Sequence, residues 1–306
     1  MSLNGLKYIM KEPKFILYYI DKFLKIRIND KLYLEKLYKK IFNKKLDLNN
    51  PKTFNEKLQW LKLYDRNPKY IKMVDKYLVK NYIKDTIGEK YIIPTLGIYD
   101  RFDEIDFDKL PNQFVLKCTH DSGSAVICKD KNNFDFKDAK NKIEKALKRN
   151  FFYGGREWPY KNIKPRIIVE KYMEAEAHKG LLDYKFMCFN GKVQCSFVCL
   201  DRNSQDGLKV DFYDLQWKKL PFKRHYPNSQ LEIPKPKNYD LMLQLAEKLS
   251  KDIPFVRVDF YETNGTIYFG ELTFYPGSGF EEFTPEKYDK ILGDMLVLPG
   301  EKNNEK

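Results

Sequence analysis

The apolar positions of the chain follow two patterns. Before residue 90, apolar and aromatic residues recur three and four positions apart among lysines, as in YLEKLYKKIF at 33–42, and this spacing predicts helices. From residue 113 they gather in short runs between turn residues, which predict strands: QFVLKC, RIIVEKYM, DYKFMCF, KVQCSFVCL and a hairpin around Asn264-Gly265. Further helices are predicted at 137–150 and 238–251. Strands joined by close turns, with helices between them, indicate an α+β fold.

The N-terminal third contains recognisable helix boundaries. Short helices are predicted within residues 6–45. Thr53 is followed three positions later by Glu56, which is the pattern of a capping box, so a helix is predicted from there to about Tyr64. Another is predicted over 69–85, ending near Gly88, before an apolar strand at 91–99.

Two acidic residues stand inside the apolar hairpin at 256–280. A two-residue Asn-Gly turn would place Asp259 and Glu271 on opposite faces, whereas a three-residue turn over 263–265, with Gly265 left-handed, places both on one face. We predict the three-residue turn. Two carboxylates on a buried face need a cation, and Mg²⁺ suits such hard oxygen ligands. The alternative is an ion pair between Glu271 and Arg257, with Asp259 reaching solvent at the strand end.

A second hairpin, QFVLKCTHDSGSAVIC at 113–128, combines a lysine with a turn of small polar residues. Such a turn lets backbone N–H groups approach phosphate oxygens while Lys117 supplies positive charge. It is not a P-loop, because GxxxxGK[ST] is absent and a strand follows. An ordinary turn is the alternative. Lys185, in DYKFMCFNGK, points either into a cleft or to a solvated face.

Composition narrows the class of protein only slightly. The 56 basic and 43 acidic side chains give a formal charge of +13, which admits nucleic acid, anionic lipid or a polyanion as partner, although an ordinary solvated surface is favoured. No nucleic-acid-binding signature is present, so no nucleic-acid partner is predicted. Five cysteines without a CxxC pair suggest neither disulfides nor zinc.

The start of the chain bears on localisation. It shows neither a membrane-spanning apolar stretch nor a signal-peptide cleavage pattern, and a cytoplasmic protein is predicted. The segment KEPKFILYYIDKFLKIR at 11–27 is basic and amphipathic. Such a segment either packs on the protein body or makes peripheral contact with the inner face of a membrane.

Taken in order, several segments resemble the TupA-like ATP-grasp family of bacterial surface-polysaccharide biosynthesis. They are NPKTFNEKLQWLKLYDR, DKY, IGEKYIIPTLGIYD, FVLKCTHDSG, GGREWPY, IIVEKYM, DYKFMCFNGK and RVDFYETNGTIYFGELTF, within residues 50–295. The resemblance implies an ATP-grasp fold, in which two α+β subdomains clasp a nucleotide. We expect a basic helical segment (1–48), a helical region (49–112), the two subdomains (113–175 and 176–300) and a disordered tail (301–306).

The resemblance also implies site residues, with ATP and Mg²⁺ as cofactors. Lys117 would contact phosphates and act in catalysis with Arg257, and Asp259 and Glu271 would bind Mg²⁺. Thr273 stands where the familiar pattern has an asparagine ligand, so a hydroxyl would have to serve there. The other implied nucleotide contacts are the phosphate loop with His120, Ser122, Gly123 and Ser124, the hinge with Glu170, Lys171 and Tyr172, and Lys185.

The implied chemistry is an ADP-forming ligation of a carboxylate to an amine through an acyl phosphate. The expected partners are a carboxylate-bearing saccharide or its precursor, such as a uronic acid, and an amine. Arg156, Trp158 and Arg202 are candidate substrate contacts, because guanidinium groups bind carboxylates bidentately and an indole stacks on a sugar ring. The alternatives are a glycosyltransferase or phosphotransferase of the same pathway and a nonenzymatic module that binds a polyanion or a membrane.

Overall fold

The computed structural model describes residues 28–173, 182–200 and 207–300. The segment at 11–27, Arg202 and the tail at 301–306 lie outside these residues. The helices are α1 (Asp30–Phe42), α2 (Phe54–Tyr64), α3 (Lys69–Val74), α4 (Val79–Thr86), α5 (Phe136–Leu147), α6 (Phe152–Gly155), α7 (Tyr239–Leu249) and α8 (Lys287–Met295). None of the helices described here is long and apolar enough to cross a membrane.

The strands form two main antiparallel sheets, which confirms the predicted α+β class. The strands are β1 (Thr95–Tyr99), β2 (Phe114–Cys118), β3 (Val126–Cys128), β4 (Ile167–Lys171), β5 (Asp183–Phe189), β6 (Lys192–Leu200), β7 (Lys209–Tyr213), β8 (Lys223–Arg224), β9 (Phe255–Thr263), β10 (Thr266–Thr273) and β11 (Phe283–Thr284). One sheet has the order β1-β4-β2-β3, the other has the order β10-β9-β5-β6-β7, and β11 pairs with β8.

Each sheet has its own hydrophobic core. Phe114 and Ile167 of the four-stranded sheet pack with Ile143 of α5, whereas α2, α3 and α7 pack on the five-stranded sheet. Since β1 pairs with β4, the four-stranded sheet begins before the boundary predicted at residue 113. The helical region before β1 belongs instead to the core of the five-stranded sheet.

Local signals fix the boundaries of α2. The hydroxyl of Thr53 accepts a hydrogen bond from the Glu56 amide at 3.2 Å, and the Glu56 carboxylate accepts one from the Thr53 amide at 3.0 Å. This confirms the predicted capping box, and α2 ends at Tyr64 as predicted. The ring of Phe54, at the start of α2, meets Phe255 edge-on with 4.9 Å between centroids. The cap therefore anchors the helix to the five-stranded sheet.

The helix predicted over 69–85 is two helices, α3 and α4, separated by a turn at Asp75. The Asp75 carboxylate accepts hydrogen bonds from the amides of Tyr77 (2.8 Å) and Leu78 (2.9 Å). Aspartate competes with helix continuation in this way, because its side chain satisfies amides that would otherwise need carbonyl partners. The prediction of a single helix was therefore wrong.

Candidate active site

The acidic hairpin is closed by a two-residue turn, so the predicted three-residue turn was wrong. Thr263 pairs with Thr266, and the two residues between them, Asn264 (φ 50°) and Gly265 (φ 71°), are both left-handed. This is the type I′ geometry that Asn-Gly favours. Continued without change, the resulting register would put Asp259 and Glu271 on opposite faces of the sheet.

A β-bulge in β10 reverses that outcome. The register shifts between Phe269 and Leu272, so that Thr273 pairs with Arg257. One extra residue in a strand moves the following side chains to the other face. Gly270 lies within the bulge, where an added Cβ would be 3.2 Å from the Asp259 carbonyl oxygen. The two acids do share a face, as predicted, but through a bulge in the strand.

Arg257 joins the two acids. Its Nε and Nη2 donate to Asp259 Oδ1 and Oδ2, each at 2.6 Å, and Nη2 also donates to Glu271 Oε1 at 2.7 Å. Thr273 Oγ1 donates to the same Glu271 oxygen at 3.1 Å, so it orients this carboxylate. Asp259 is 1% exposed, so it does not reach solvent as the ion-pair alternative required.

Lys185 completes this cluster from the neighbouring strand. It lies opposite Asp259 in the β5–β9 pairing, and its ammonium contacts the carboxylates of Asp259 and, at 2.6 Å, Asp183. Lys185 is 4% exposed, so the solvated-face alternative is excluded. Asp183 was not predicted, although it stands two residues before Lys185 on the same strand face.

The electrostatics separate the two acids. Burial raises the pKa of Asp259, and Arg257 and Lys185 only partly offset that rise. Burial would raise the pKa of Glu271 as well, but Arg257, Lys185 and Lys76 lower it to about 2. The Glu271 side chain is 44% exposed. It is thus an ionised carboxylate open to a cation, whereas Asp259 lies beneath it as part of an ion-pair network.

Glu170 holds two lysines on the four-stranded sheet. Its carboxylate contacts Lys117 at 2.9 Å and Lys80 at 2.6 Å. Burial would lower the pKa of Lys117, but Glu170 and, from the other sheet, Glu271 and Asp183 raise it. The charges of two acids on the five-stranded sheet therefore act on Lys117. Lys80 was not predicted, because a lysine in a basic helical region resembles any surface lysine.

The loop after β2 is held by its own side chains. Ser124 Oγ accepts from the Cys118 amide at 2.9 Å and donates to Asp121 at 2.6 Å. His120 is 2% exposed, and its Nε2 lies 3.0 Å from the Arg149 carbonyl oxygen. Burial lowers the pKa of His120. Ser124 and His120 therefore shape the loop from inside.

Ser122 and Gly123 form the exposed tip of this loop. Gly123 has φ 88°, a left-handed conformation that favours glycine, and a Cβ added there would meet nothing within 4 Å. The two tip residues are thus the predicted loop positions that a ligand can approach.

A cleft of about 590 Å³ lies between the end of β4 and the tip of the acidic hairpin. This volume lies in the range of small-molecule sites. Lys171 and Tyr172, both predicted in the hinge, line one wall, and the tip of the acidic hairpin lines the other. The lining residues are Leu96, Pro111, Asn112, Gln113, Lys171, Tyr172, Met173, Thr263, Asn264, Thr266 and Tyr268.

The predicted substrate contacts are not brought together. Arg156 is 2% exposed, pairs with Asp30 at 3.3 Å and lies 4.1 Å from the Tyr33 ring centroid, so in this structure it ties its segment to α1. Trp158 packs against the main core, and its Nε1 donates to the Asp65 carbonyl oxygen at 3.1 Å. Trp158 is therefore half-buried, and its indole N–H is already hydrogen-bonded within the protein.

The residues present fit a magnesium ion that arrives with a phosphate. Glu271 supplies an exposed hard oxygen donor, and Asp259 lies on the same face with both oxygens paired to Arg257 and Lys185, so it would have to exchange one of these partners for the ion. Mg²⁺ uses one or two carboxylates together with water and phosphate oxygens. Across the described ranges, no group of three or more His, Cys, Asp and Glu side chains forms a ready-made metal cage. Phosphate oxygens would therefore have to complete the coordination.

Two antiparallel sheets with separate cores, lysines on one and carboxylates on the other, and a cleft between them define a protein of the ATP-grasp class. The family model described as TupA-like ATPgrasp matches residues 56–297. The chain belongs to this family.

Solved structures of related fold are distant in sequence. D-alanine–D-alanine ligase from Bacillus anthracis, complexed with ATP, is 17% identical with a TM-score of 0.42, covering 73% of this chain and 64% of that one. The Helicobacter pylori D-alanine–D-alanine ligase is 15% identical (TM-score 0.41, 81% and 70% covered). A RimK domain ATP-grasp protein from Sphaerobacter thermophilus is 10% identical (TM-score 0.42, 76% and 70% covered). The chain thus spans slightly under two thirds of the first of these ligases. A search of curated protein sequences finds no match.

Proposed function

We propose that this protein is an ATP- and Mg²⁺-dependent ligase that joins a carboxylate to an amine and releases ADP and phosphate. The observation that carries the proposal is the convergence of Asp259 and Glu271 on one sheet face, with Lys117 on the other sheet, where the charge of Glu271 helps to raise its pKa. Phosphoryl transfer depends on positioning and on neutralising charge, and this arrangement supplies both.

Each wall of the cleft has its own task. Lys171 and Tyr172, which line the cleft, would lie against the nucleoside, Lys117 and the loop tip would hold phosphate oxygens, and Glu271 with Asp259 would hold Mg²⁺. When bound, the ion offsets the negative charge of the phosphates. Glu170 keeps Lys117 charged and aimed at the cleft, and Lys185 holds Asp259 in place.

The reaction proceeds in two balanced steps. An oxygen of the substrate carboxylate bonds to the γ-phosphorus, and the bond to the β–γ bridging oxygen breaks, so that ADP leaves with the electron pair. The amine nitrogen then bonds to the acyl carbon and loses a proton, and phosphate leaves. Arg257 is placed beside Glu271 at 2.7 Å, where its positive charge stabilises the developing anion.

For the substrates, we propose a carboxylate-bearing saccharide, such as a uronic acid, and an amine used in bacterial surface polysaccharide. The family resemblance supports this pathway, and the supply of ATP supports a cytoplasmic site. Of the residues predicted to contact the saccharide, Arg156 pairs with Asp30 and Trp158 donates to the Asp65 carbonyl oxygen in this structure.

Thermal unfolding with Mg²⁺, ATP, both together, and UDP-sugars tests the proposal. A ligand at 100 times its Kd adds about 2.7 kcal/mol of stability, which visibly raises the Tm. We expect a rise with ATP that depends on Mg²⁺. A rise only with UDP-sugars, or none, would refute the proposal and favour the transferase or the binding module.

Variants of the two acids test the metal assignment. We expect Asp259→Asn and Glu271→Gln to fold but to lose the Mg²⁺-dependent part of the ATP effect and most ATP turnover. Asp294→Asn, at an exposed acid paired with Lys290 on α8, is the matched control and should behave as wild type. Unchanged turnover in both site variants would contradict the assignment.

A further inference from the structure

A second cavity, of about 320 Å³, lies between the start of α1 and the end of α2. Its volume is at the lower end of the range of small-molecule sites. It shares no lining residue with the cleft that we assign to ATP, so it is a separate candidate site. The lining residues are Asn29, Asp30, Lys31, Leu63, Tyr64 and Arg66.

An exposed aromatic ring borders this cavity. Tyr64, the last residue of α2, is 51% exposed, and its ring lies 5.0 Å from that of Trp60 between centroids. Trp60 packs in turn against two of the hydrophobic cores, so the ring of Tyr64 has a fixed support. A flat aromatic ring presents an apolar face that fits the C–H face of a sugar, while its hydroxyl stays in water.

A charged pair borders the same cavity. Asp30 contacts Arg66 Nη2 at 3.2 Å, and the Arg66 side chain is 44% exposed. Lys31 is exposed beside them, so the lining carries one carboxylate and two cations. A guanidinium binds a carboxylate through two parallel hydrogen bonds. The excess of positive charge therefore favours a ligand that bears a carboxylate.

Two residues of the GGREWPY motif, Arg156 and Trp158, support the residues that line the cavity. The Arg156 Nε lies 3.3 Å from Asp30 Oδ1, the carboxylate oxygen that does not contact Arg66. Trp158 Nε1 donates at 3.1 Å to the carbonyl oxygen of Asp65, which joins the aromatic and the basic residue of the lining. The two side chains that the sequence suggested as substrate contacts thus hold a site that a substrate can reach.

The segment that supports the cavity also reaches the acidic hairpin. Glu157 stands between the two supporting residues, and the charge of Glu271 helps to raise its pKa. A Cβ added to Gly155 would lie 1.9 Å from Ser278 Oγ, in the loop that follows β10. The cavity is therefore connected to the proposed site of chemistry through one short segment, 155–158.

Resting on the proposed function, we propose that this cavity is a subsite for a sugar unit that bears a carboxylate, within the saccharide substrate. The ring of Tyr64 packs against the sugar, and Asp30 accepts hydrogen bonds from its hydroxyls. Arg66 binds the carboxylate through N–H groups other than the one that Asp30 holds. The subsite binds the saccharide without touching ATP or Mg²⁺.

Sugar binding in the absence of nucleotide tests the subsite. The full chain, without ATP and Mg²⁺, is titrated with tetragalacturonic acid and with uncharged maltotetraose, and saturation-transfer NMR gives each Kd. Salt at about 0.15 M screens nonspecific attraction to a protein of charge +13. We expect the acidic tetrasaccharide to bind about 10-fold more tightly than the neutral one, the worth of a charge-assisted hydrogen bond.

Substitutions at the two walls locate the binding. Tyr64→Ala should weaken binding of the acidic tetrasaccharide about 10-fold, and Tyr64→Phe, which keeps the ring, should bind it as wild type does. Arg66→Met should remove the preference for the acidic over the neutral sugar. Arg101→Met is the matched control, since Arg101 is an exposed arginine paired with one acid, Glu104, at 2.9 Å, and should change neither Kd.

Three outcomes would overturn the assignment. Wild-type protein that binds neither sugar would show that the cavity is not a sugar subsite, and equal binding of both sugars would refute its selectivity for a carboxylate. Unchanged binding in both Tyr64→Ala and Arg66→Met would show that the sugar binds elsewhere. Failure of the proposed function gives a different result, because Mg²⁺ and ATP then leave the Tm unchanged while the sugar still binds. Should Tyr64→Ala not fold, Tyr64→Gln provides the same comparison.

Discussion

Two buried residues that interact electrostatically, Lys62 and Glu157, allow a prediction about stability. Lys62 of α2 is fully buried, and its ammonium donates to Gln59 Oε1 (2.9 Å) and to Ser278 O (2.7 Å) and Oγ (3.1 Å). Glu157 is 6% exposed and interacts electrostatically with Lys62. Burial lowers the pKa of Lys62 to about 7 and raises that of Glu157 to about 6.

We expect Lys62→Met to destabilise the protein by about 2–4 kcal/mol at pH 8, because three buried hydrogen bonds are lost and their partner groups are left unsatisfied. At this pH Glu157 is charged, whereas the Lys62 amine, with a pKa of about 7, is mostly neutral. The double variant Lys62→Met/Glu157→Gln removes both charges and should be more stable than Lys62→Met. Lys90→Met is the control, since Lys90 is an exposed lysine 5.0 Å from the ring centroid of Tyr91, and should change stability by less than about 0.5 kcal/mol.

The pH dependence sharpens the prediction. Because the pKa of Glu157 in the folded protein, about 6, exceeds its ordinary value of 4.5, the folded state holds this proton more tightly, and stability is lost as pH rises through 6. In Lys62→Met the pKa of Glu157 in the folded protein is higher still, because Lys62 no longer lowers it, and more stability is lost as pH rises. The deficit of Lys62→Met should therefore shrink by at least about 1 kcal/mol between pH 8 and pH 5.

Urea unfolding followed by circular dichroism at the two pH values measures these differences. A deficit below about 1 kcal/mol at pH 8, or one that does not change with pH, would refute the view that Lys62 stabilises the core through its hydrogen bonds and lowers the pKa of Glu157.

Three further substitutions have expected outcomes. Gly270→Ala should cost about 1–3 kcal/mol and reduce ATP turnover, because the new methyl group presses on Asp259 within the bulge; wild-type turnover would contradict this. Glu170→Gln should cost about 2–3 kcal/mol in urea unfolding, since Lys80 and Lys117 would then face each other without a carboxylate, and a neutral result would show that they separate freely. Thr53→Ala should cost about 1 kcal/mol and leave nucleotide binding unchanged, and a change in binding would show that the cap also positions the site.

Local signals in the sequence accounted for the elements and for part of the site. The capping box at Thr53 and Glu56, the strands and the placement of Asp259 and Glu271 in one hairpin all depend on short-range patterns. The bulge that turns Glu271 toward Asp259 depends on the pairing of two strands. The hairpin departs from the prediction twice: its turn has two residues, Asn264 and Gly265, instead of three, and β10 contains a bulge at Gly270. Either departure alone would place Asp259 and Glu271 on opposite faces, and together they restore the shared face.

Other residues escaped prediction for a different reason. Lys80 acquires its role only from a partner far along the chain, Glu170, and a lysine has no sequence signature apart from its neighbours. Arg156 is the opposite case, a residue with a sequence signature whose contacts are internal. It stands in a motif with a tryptophan, which suggested a substrate contact, and its guanidinium packs against Tyr33 and pairs with Asp30. The positive charges of Lys80 and Arg156 predict that each side chain needs a carboxylate partner when it is buried. Which carboxylate it meets depends on the tertiary structure.

The helical region from α2 to α4 connects the two halves of the site. α2 and α3 belong to the core of the five-stranded sheet, yet Lys76 and Lys80, which follow them, bond to the loop and to Glu170 of the four-stranded sheet. The break at Asp75 makes this possible, because an uninterrupted helix would turn successive side chains around one axis and would not give Lys76 a backbone bond to Thr119. Lys76 and Lys80 are therefore positioned by a segment that is anchored on the five-stranded sheet. Movement of one sheet relative to the other would change the distances from these two lysines to the loop and to Glu170 on the four-stranded sheet.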